Sequence, residues 1–276
     1  MDARFERNTF GKRLKSMLKV DFRRMFTMRL FYIIAGSCLV APILILVMTT
    51  MFGGADPETG ETVEPMFTNV WQIISSISGG EVAADTSAEA ASDMAAMSMD
   101  ITMMCNMNML YFAIAVLVCL FVSEDFKSGY SKNIFTVRAK KSDYVISKTA
   151  VCFVGSAIMI LVFFIGSMLG GAIAGLPFDT GIAGIGGVVM CMISKILLTA
   201  VFVPIYLVLS VAAKQRTWLS MMISFGAGML LFMMIPMMTP LNSGIMNVVL
   251  CLAGGAVFNF GLGAVSNLIL KKTSLV

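Results

Sequence analysis

The sequence predicts an all-α integral membrane protein. It has six transmembrane helices, an N-terminal amphipathic interfacial helix, and a cytoplasmic loop that itself holds a short helix. Three observations predict this. The 276-residue chain is 58% hydrophobic and only 13% charged, too little charge to clothe a soluble domain of that length. Long apolar runs recur, and in lipid each can satisfy its backbone polar groups only as helix. Of the twenty Lys and Arg residues, nineteen fall in segments that would all lie on one side of a membrane, which the positive-inside rule makes the cytoplasm.

The elements follow in order. Residues 1–29 carry nine basic residues, and Phe10, Leu14, Leu18, Phe22 and Phe26 recur among them every four residues. This is a basic amphipathic helix suited to the inner interface, either as a simple anchor or as a docking element for a partner. The remainder, 30–276, reads as one six-helix transmembrane domain with spans at 30–52, 104–122, 149–175, 184–212, 218–238 and 246–270. The first span is about 23 residues long, beyond a signal-peptide core, and no cleavage site follows it. Pro42, Pro204 and Pro236 lie inside spans and predict kinks. Gly166 with Gly170, and Gly171 with Gly175, have the spacing of close helix packing.

Between the first two spans, residues 53–103 hold nine acids and no Lys or Arg, so they face outside. Two readings stand: an acidic mouth that attracts or releases cationic cargo, or an outer loop simply poor in Lys and Arg. The stretch 65–78 suits a helix at the outer interface, with Trp71 in the headgroup layer. An even number of spans places both termini in the cytoplasm. The plasma membrane of a bacterium is the expected location.

The 123–148 loop is the long cytoplasmic connection. Glu124 and Asp125 stand at its start, Gly129 permits a sharp turn, and Ile134, Phe135 and Val137 form an apolar cluster among charges. A short helix with an apolar knob and charged flanks fits a groove on a soluble partner. Lys195 is the single basic residue outside the cytoplasmic set. It lies either at mid-membrane, where it must face the bundle, or at the outer interface. With Asn106, Asn108 and Asn259 it forms the candidate polar lining of a translocation route, although asparagines in spans also serve as structural glue between helices. The six cysteines lack CxxC spacing and read as buried small residues. The 26 methionines suit either adaptable contact with apolar cargo or ordinary helix packing.

In architecture the chain resembles the type 2 ABC permeases, the membrane subunits of ATP-driven exporters. The resemblance rests on the basic N-terminal helix, the six spans, and the loop after the second span. That loop runs from Asp125 and Gly129 through Ile134 to Val137, to Arg138, Lys140 or Lys141, and on to Lys148 at the third span. Tyr130 stands where the family has a small hydroxylic residue, and no Pro or Gly precedes the basic residue. The resemblance implies that Glu124, Asp125, Gly129, Ile134, Phe135, Val137, Arg138, Lys140, Lys141 and Lys148 belong to a coupling helix and its flanks. It also implies a cytoplasmic ABC ATPase partner and a second permease copy, identical or related, with membrane lipid around them.

The chain has no histidine, which removes the commonest metal ligand and general base. It has no G-x-x-x-x-G-K-[ST] run, so ATP and Mg would sit on the partner. The expectation is therefore a transport subunit with no catalytic residues, no metal and no cofactor of its own. Its expected cargo is an amphipathic or hydrophobic peptide, with no nucleic-acid partner. Two rivals remain: a stand-alone carrier or channel, and a non-transporting immunity or peptide-binding membrane protein.

Overall fold

A computed structural model describes residues 10–52, 54–55, 62–63, 67–74, 105–137, 141–180, 184–214, 216–232, 234–241 and 243–272. The fold is helical. The strand content among these residues is one antiparallel two-residue pair, Gly54–Ala55 with Thr62–Val63. The helices are α1 (Phe10–Thr27), α2 (Arg29–Phe52), α3 (Leu110–Lys127), α4 (Tyr130–Val137), α5 (Lys141–Ala174), α6 (Gly184–Ala213), α7 (Thr217–Phe232), α8 (Met234–Met238) and α9 (Ile245–Lys272). Among the described residues α2, α3, α5, α6 and α9 are each long and apolar enough to cross a bilayer. The protein is a multi-pass membrane protein.

Helix α6 is the axis of the bundle and packs against α9, α3, α5 and α7. Its buried residues recur at three- and four-residue spacing, from Val188 through Cys191, Lys195, Leu198, Phe202 and Tyr206 to Ser210. That spacing keeps one broad face against neighbours. Polar glue ties α7 to it: Ser220 Oγ donates to Ser210 Oγ at 3.0 Å, and Cys119 Sγ of α3 donates to Ser224 Oγ at 3.2 Å. Five of the cysteines are buried and all six are free. Helix α9 buries only Cys251, Gly255, Ser266 and Leu270, so most of its surface faces away from the bundle.

Helix α2 lies along α5, and glycine makes that approach possible. A Cβ on Gly170 would sit 2.8 Å from Ile43 Cα, and one on Gly166 would sit 2.8 Å from Pro42 Cγ and collide with the Leu39 carbonyl. Backbone cannot yield as a side-chain tip can, so Gly170→Leu is expected to cost about 1–3 kcal/mol. Denaturant titration of the purified chain in detergent checks this, with Gly186→Leu, which has open space around it, as the neutral control. Gly171 instead meets Val70, while Gly175 has nothing near it and a φ of +69°. The second glycine pair therefore serves a turn rather than a helix crossing.

Four features of the fold bear on these expectations. The loop 123–148 is mostly helix: α3 runs on to Lys127 and α5 begins at Lys141. Glu124 and Asp125 thus lie in the last turns of α3 rather than at a loop, and Lys148 lies two turns inside α5. The charged residues there read as loop because the ion pairs that bury them come from distant parts of the chain. Second, α7 and α8 cover the run 218–238, with residue 233 between them outside the described residues and Pro236 inside α8. Helical structure continues through Pro42 and Pro204. Third, Trp71 is buried rather than in a headgroup layer. It packs on Phe164 and Phe178, with ring centroids 6.4 and 6.2 Å away. Val70–Ile73 form a single 3-10 turn, capped by Asn69, that is held against α5. Residues 75–78 and the stretch 83–99 lie outside the described residues. Fourth, on α1 the row Met17, Asp21 and Met25 is buried, Leu14, Leu18, Phe22 and Phe26 beside it are half-buried, and Phe10, at the first residue of the helix, is exposed.

Candidate functional site

At the end of the bundle that gathers the Lys and Arg residues, four helices meet around one ammonium. Lys148 of α5 is fully buried. Its Nζ lies 2.9 Å from Asp21 Oδ1 of α1 and 2.7 Å from Asp125 Oδ2 of α3. Asp125 also takes Arg24 Nη1 of α1 at 2.6 Å and the Tyr144 hydroxyl of α5 at 2.9 Å. Asp21 takes the Ser147 hydroxyl at 2.6 Å and the Tyr130 hydroxyl of α4 at 3.5 Å. The Arg24 guanidinium sits 3.8 Å over the Tyr130 ring, and Lys148 Nζ sits 4.0 Å over Phe121. A second pair, Arg13 Nε to Asp143 Oδ2 at 3.1 Å, ties α1 to α5 further along.

Such a cluster holds because every carboxylate oxygen is matched. Buried charges cost several kcal/mol each unless paired and hydrogen-bonded, and here two carboxylates face two cations, with hydroxyls filling the remaining lone pairs. Burial works to lower the Arg24 pKa, but the Asp125 charge and hydrogen bond, with Tyr130, more than reverse this and raise it. Burial also pushes the Tyr130 hydroxyl above its ordinary range; Asp21 adds to this and Arg24 opposes it. Tyr130 therefore stays a neutral donor.

The turn into α4 is set by Gly129, whose φ of +72° favours glycine. Ser128 closes α3 by bonding its N–H to the Glu124 carbonyl at 2.9 Å. On α4, Ile134 and Phe135 are half-buried rather than projecting, and Phe135 stacks edge-on against Tyr144 at 5.4 Å. Among the described side chains of this helix, Lys132 and Asn133 are the exposed ones. The Lys141 ammonium donates to the Leu270 carbonyl of α9. Arg138 and Lys140 lie outside the described residues. Of the candidate coupling residues, then, Asp125 and Lys148 meet directly, and Gly129 and Phe135 frame the helix beside them.

The second candidate group divides. Lys195 is fully buried within the protein, beside the turn that precedes α3 and the residue that follows α8. Its Nζ donates to Asn108 Oδ1 at 2.8 Å and to Thr239 Oγ1 at 3.1 Å. Asn106 caps the 3-10 turn Met107–Met109 that carries Asn108. Asn259 is elsewhere: its amide donates to the carbonyls of Ala200 and Gly255 at 2.8 and 2.7 Å, joining α9 to α6.

Sequence reasoning missed Asp21, Arg24, Tyr130 and Tyr144. A signal existed for the first: Asp21 sits between Met17 and Met25 on one row of an otherwise basic helix. An acid on the apolar row of a basic helix calls for a buried cation. Tyr144 and Lys148, one turn apart, point their partners the same way.

A multi-pass helical bundle that gathers its buried ion pairs at one end, with a short helix docked on them, is the architecture expected of a membrane transport subunit. The sequence profile described as ABC-2 family transporter protein matches residues 18–230, and the chain belongs to that family. This family comprises permeases, membrane subunits that lack the ATPase motif, and membership implies work with an ABC ATPase and usually with a second permease. No curated protein matches the chain. No solved structure matches it either.

Proposed function

We propose that the chain is the membrane half of an ATP-driven exporter, set in a bacterial plasma membrane with its basic end in the cytoplasm. Residues 1–29 would lie at the inner interface, and 30–276 would form one transmembrane domain of six spans, α7 with α8 making the fifth. A separate ATPase carries ATP and Mg and docks on α4. Its closure on ATP pushes α4, and two copies of the chain shift between inward and outward states as rigid bodies.

The supporting observation is the ion cluster around Lys148. It joins α4 to the other helices through Tyr130, whose ring lies under Arg24 and whose hydroxyl donates to Asp21, so a displacement of α4 would be carried into them. The exposed Lys132 and Asn133 offer the outer face of α4 to the ATPase, while Phe135 holds its inner face. Lys195, Asn108 and Asn106 border the route, and the proposed cargo is an amphipathic peptide. The charge pattern supports the orientation. Lys195 is the one Lys or Arg buried in the bundle interior away from the basic end among the described residues, which disfavours an ion-coupled carrier.

Liposomes carrying the chain with its ATPase are expected to take up a fluorescent amphipathic peptide only when ATP is supplied on the ATPase side. Uptake by the chain alone would favour a secondary carrier. Protection of cells against the peptide without the ATPase would favour an immunity protein.

A further inference from the structure

A groove of about 710 Å³ runs between α5, α6 and α9, away from the ion cluster and from Lys195. Val145, Thr149 and Phe153 of α5 form one wall, and Leu252, Phe260 and Asn267 of α9 form the other. Small residues open it: Gly255 lets α9 approach Ala200 of α6, and Gly263, on the groove wall, has nothing within 4 Å of where a Cβ would stand.

Its length and its chemistry point to one occupant. From Leu252 to Asn267 the helix rises about 22 Å at 1.5 Å per residue. That is half the thickness of a bilayer with its headgroups, or one leaflet. The groove therefore runs from the basic end to mid-membrane. At its basic end stand three lysines. Lys141 is one turn before Val145 on α5 and reaches across to the Leu270 carbonyl. Lys271 is one turn beyond Asn267 on α9, and Lys272 follows it; both are exposed. Asn267 Oδ1 is buried there without a partner, an acceptor that a headgroup hydroxyl would satisfy.

We infer that this groove is a binding site for an anionic phospholipid of the leaflet at the basic end: an acyl chain lies along Phe153 and Phe260, and the phosphate sits among Lys141, Lys271 and Lys272. A basic cluster beside an apolar slot is how membrane proteins recognise anionic lipid. The inference needs no assumption about cargo or direction of transport.

The test is native mass spectrometry of the full chain, titrated with phosphatidylglycerol or with phosphatidylcholine of the same acyl chains. The wild type is expected to retain one phosphatidylglycerol with at least about tenfold preference, since each lysine near an anionic group contributes about fivefold. Changing Lys141, Lys271 and Lys272 together to Ala removes the preference. Gly263→Leu fills the slot and removes bound lipid of either kind, with melting temperature confirming that the variant folds. Equal retention of both lipids by the wild type overturns the proposal. So does unchanged phosphatidylglycerol binding in both variants, or a chain dimer that Gly263→Leu dissolves, which would make the groove an interface between copies.

Discussion

Replacing Lys148 with Met is expected to cost about 3–5 kcal/mol of stability, the range for breaking a buried ion pair from one side. The cost arises because the carboxylates stay behind. Asp125 would still face Arg24 and Tyr144, but Asp21 would keep only the Ser147 and Tyr130 hydroxyls. The account therefore makes a sharper statement about rescue. Adding Asp21→Asn to Lys148→Met should restore most of the loss, and adding Asp125→Asn should restore less and leave Arg24 without its partner. Unfolding in mixed micelles compares the three purified variants with the wild type. A loss below about 1 kcal/mol for Lys148→Met would mean that water reaches the cluster and that it does not bind the helices rigidly.

Lys195→Met is expected to do the opposite: leave stability within about 2 kcal/mol of the wild type and lower transport about tenfold or more. A lysine buried in a spanning helix costs up to roughly 2.5–3.5 kcal/mol on insertion scales. Met matches its length and removes that cost. Against this, Asn108 Oδ1 loses its donor, a penalty of ~1–3 kcal/mol for a buried acceptor. Thr239 keeps its own bond to the Ile235 carbonyl. The two contributions offset each other. A lysine held among neutral partners is thus not explained by stability, which supports the proposed place of Lys195 on the route. Unfolding curves and peptide uptake measured on one preparation separate the two effects. Full uptake by a stable variant would remove Lys195 from the route.

Much of the fold was legible because the bilayer imposes a simple rule. Apolar length and the placement of Lys and Arg located the helices to within a few residues, except where charge was buried. At 141–148, Lys141, Asp143 and Lys148 looked like loop, yet they continue α5 because Arg13 pairs with Asp143, Asp21 and Asp125 pair with Lys148, and the Leu270 carbonyl accepts from Lys141. The site was half legible for the same reason. Asp125, Gly129 and Lys148 stood out in the loop after the second span. Asp21 and Arg24 did not, because their partners lie more than a hundred residues away and periodicity carries no record of such pairing.

The contact between α4 and an ATPase tests the central claim most directly. A photo-crosslinking side chain placed at Asn133 in living cells is expected to capture a P-loop ATPase, while the same group at Phe178, exposed at the opposite end, captures none. Capture at Phe178 but not at Asn133 would contradict both the orientation of the chain and the role given to α4.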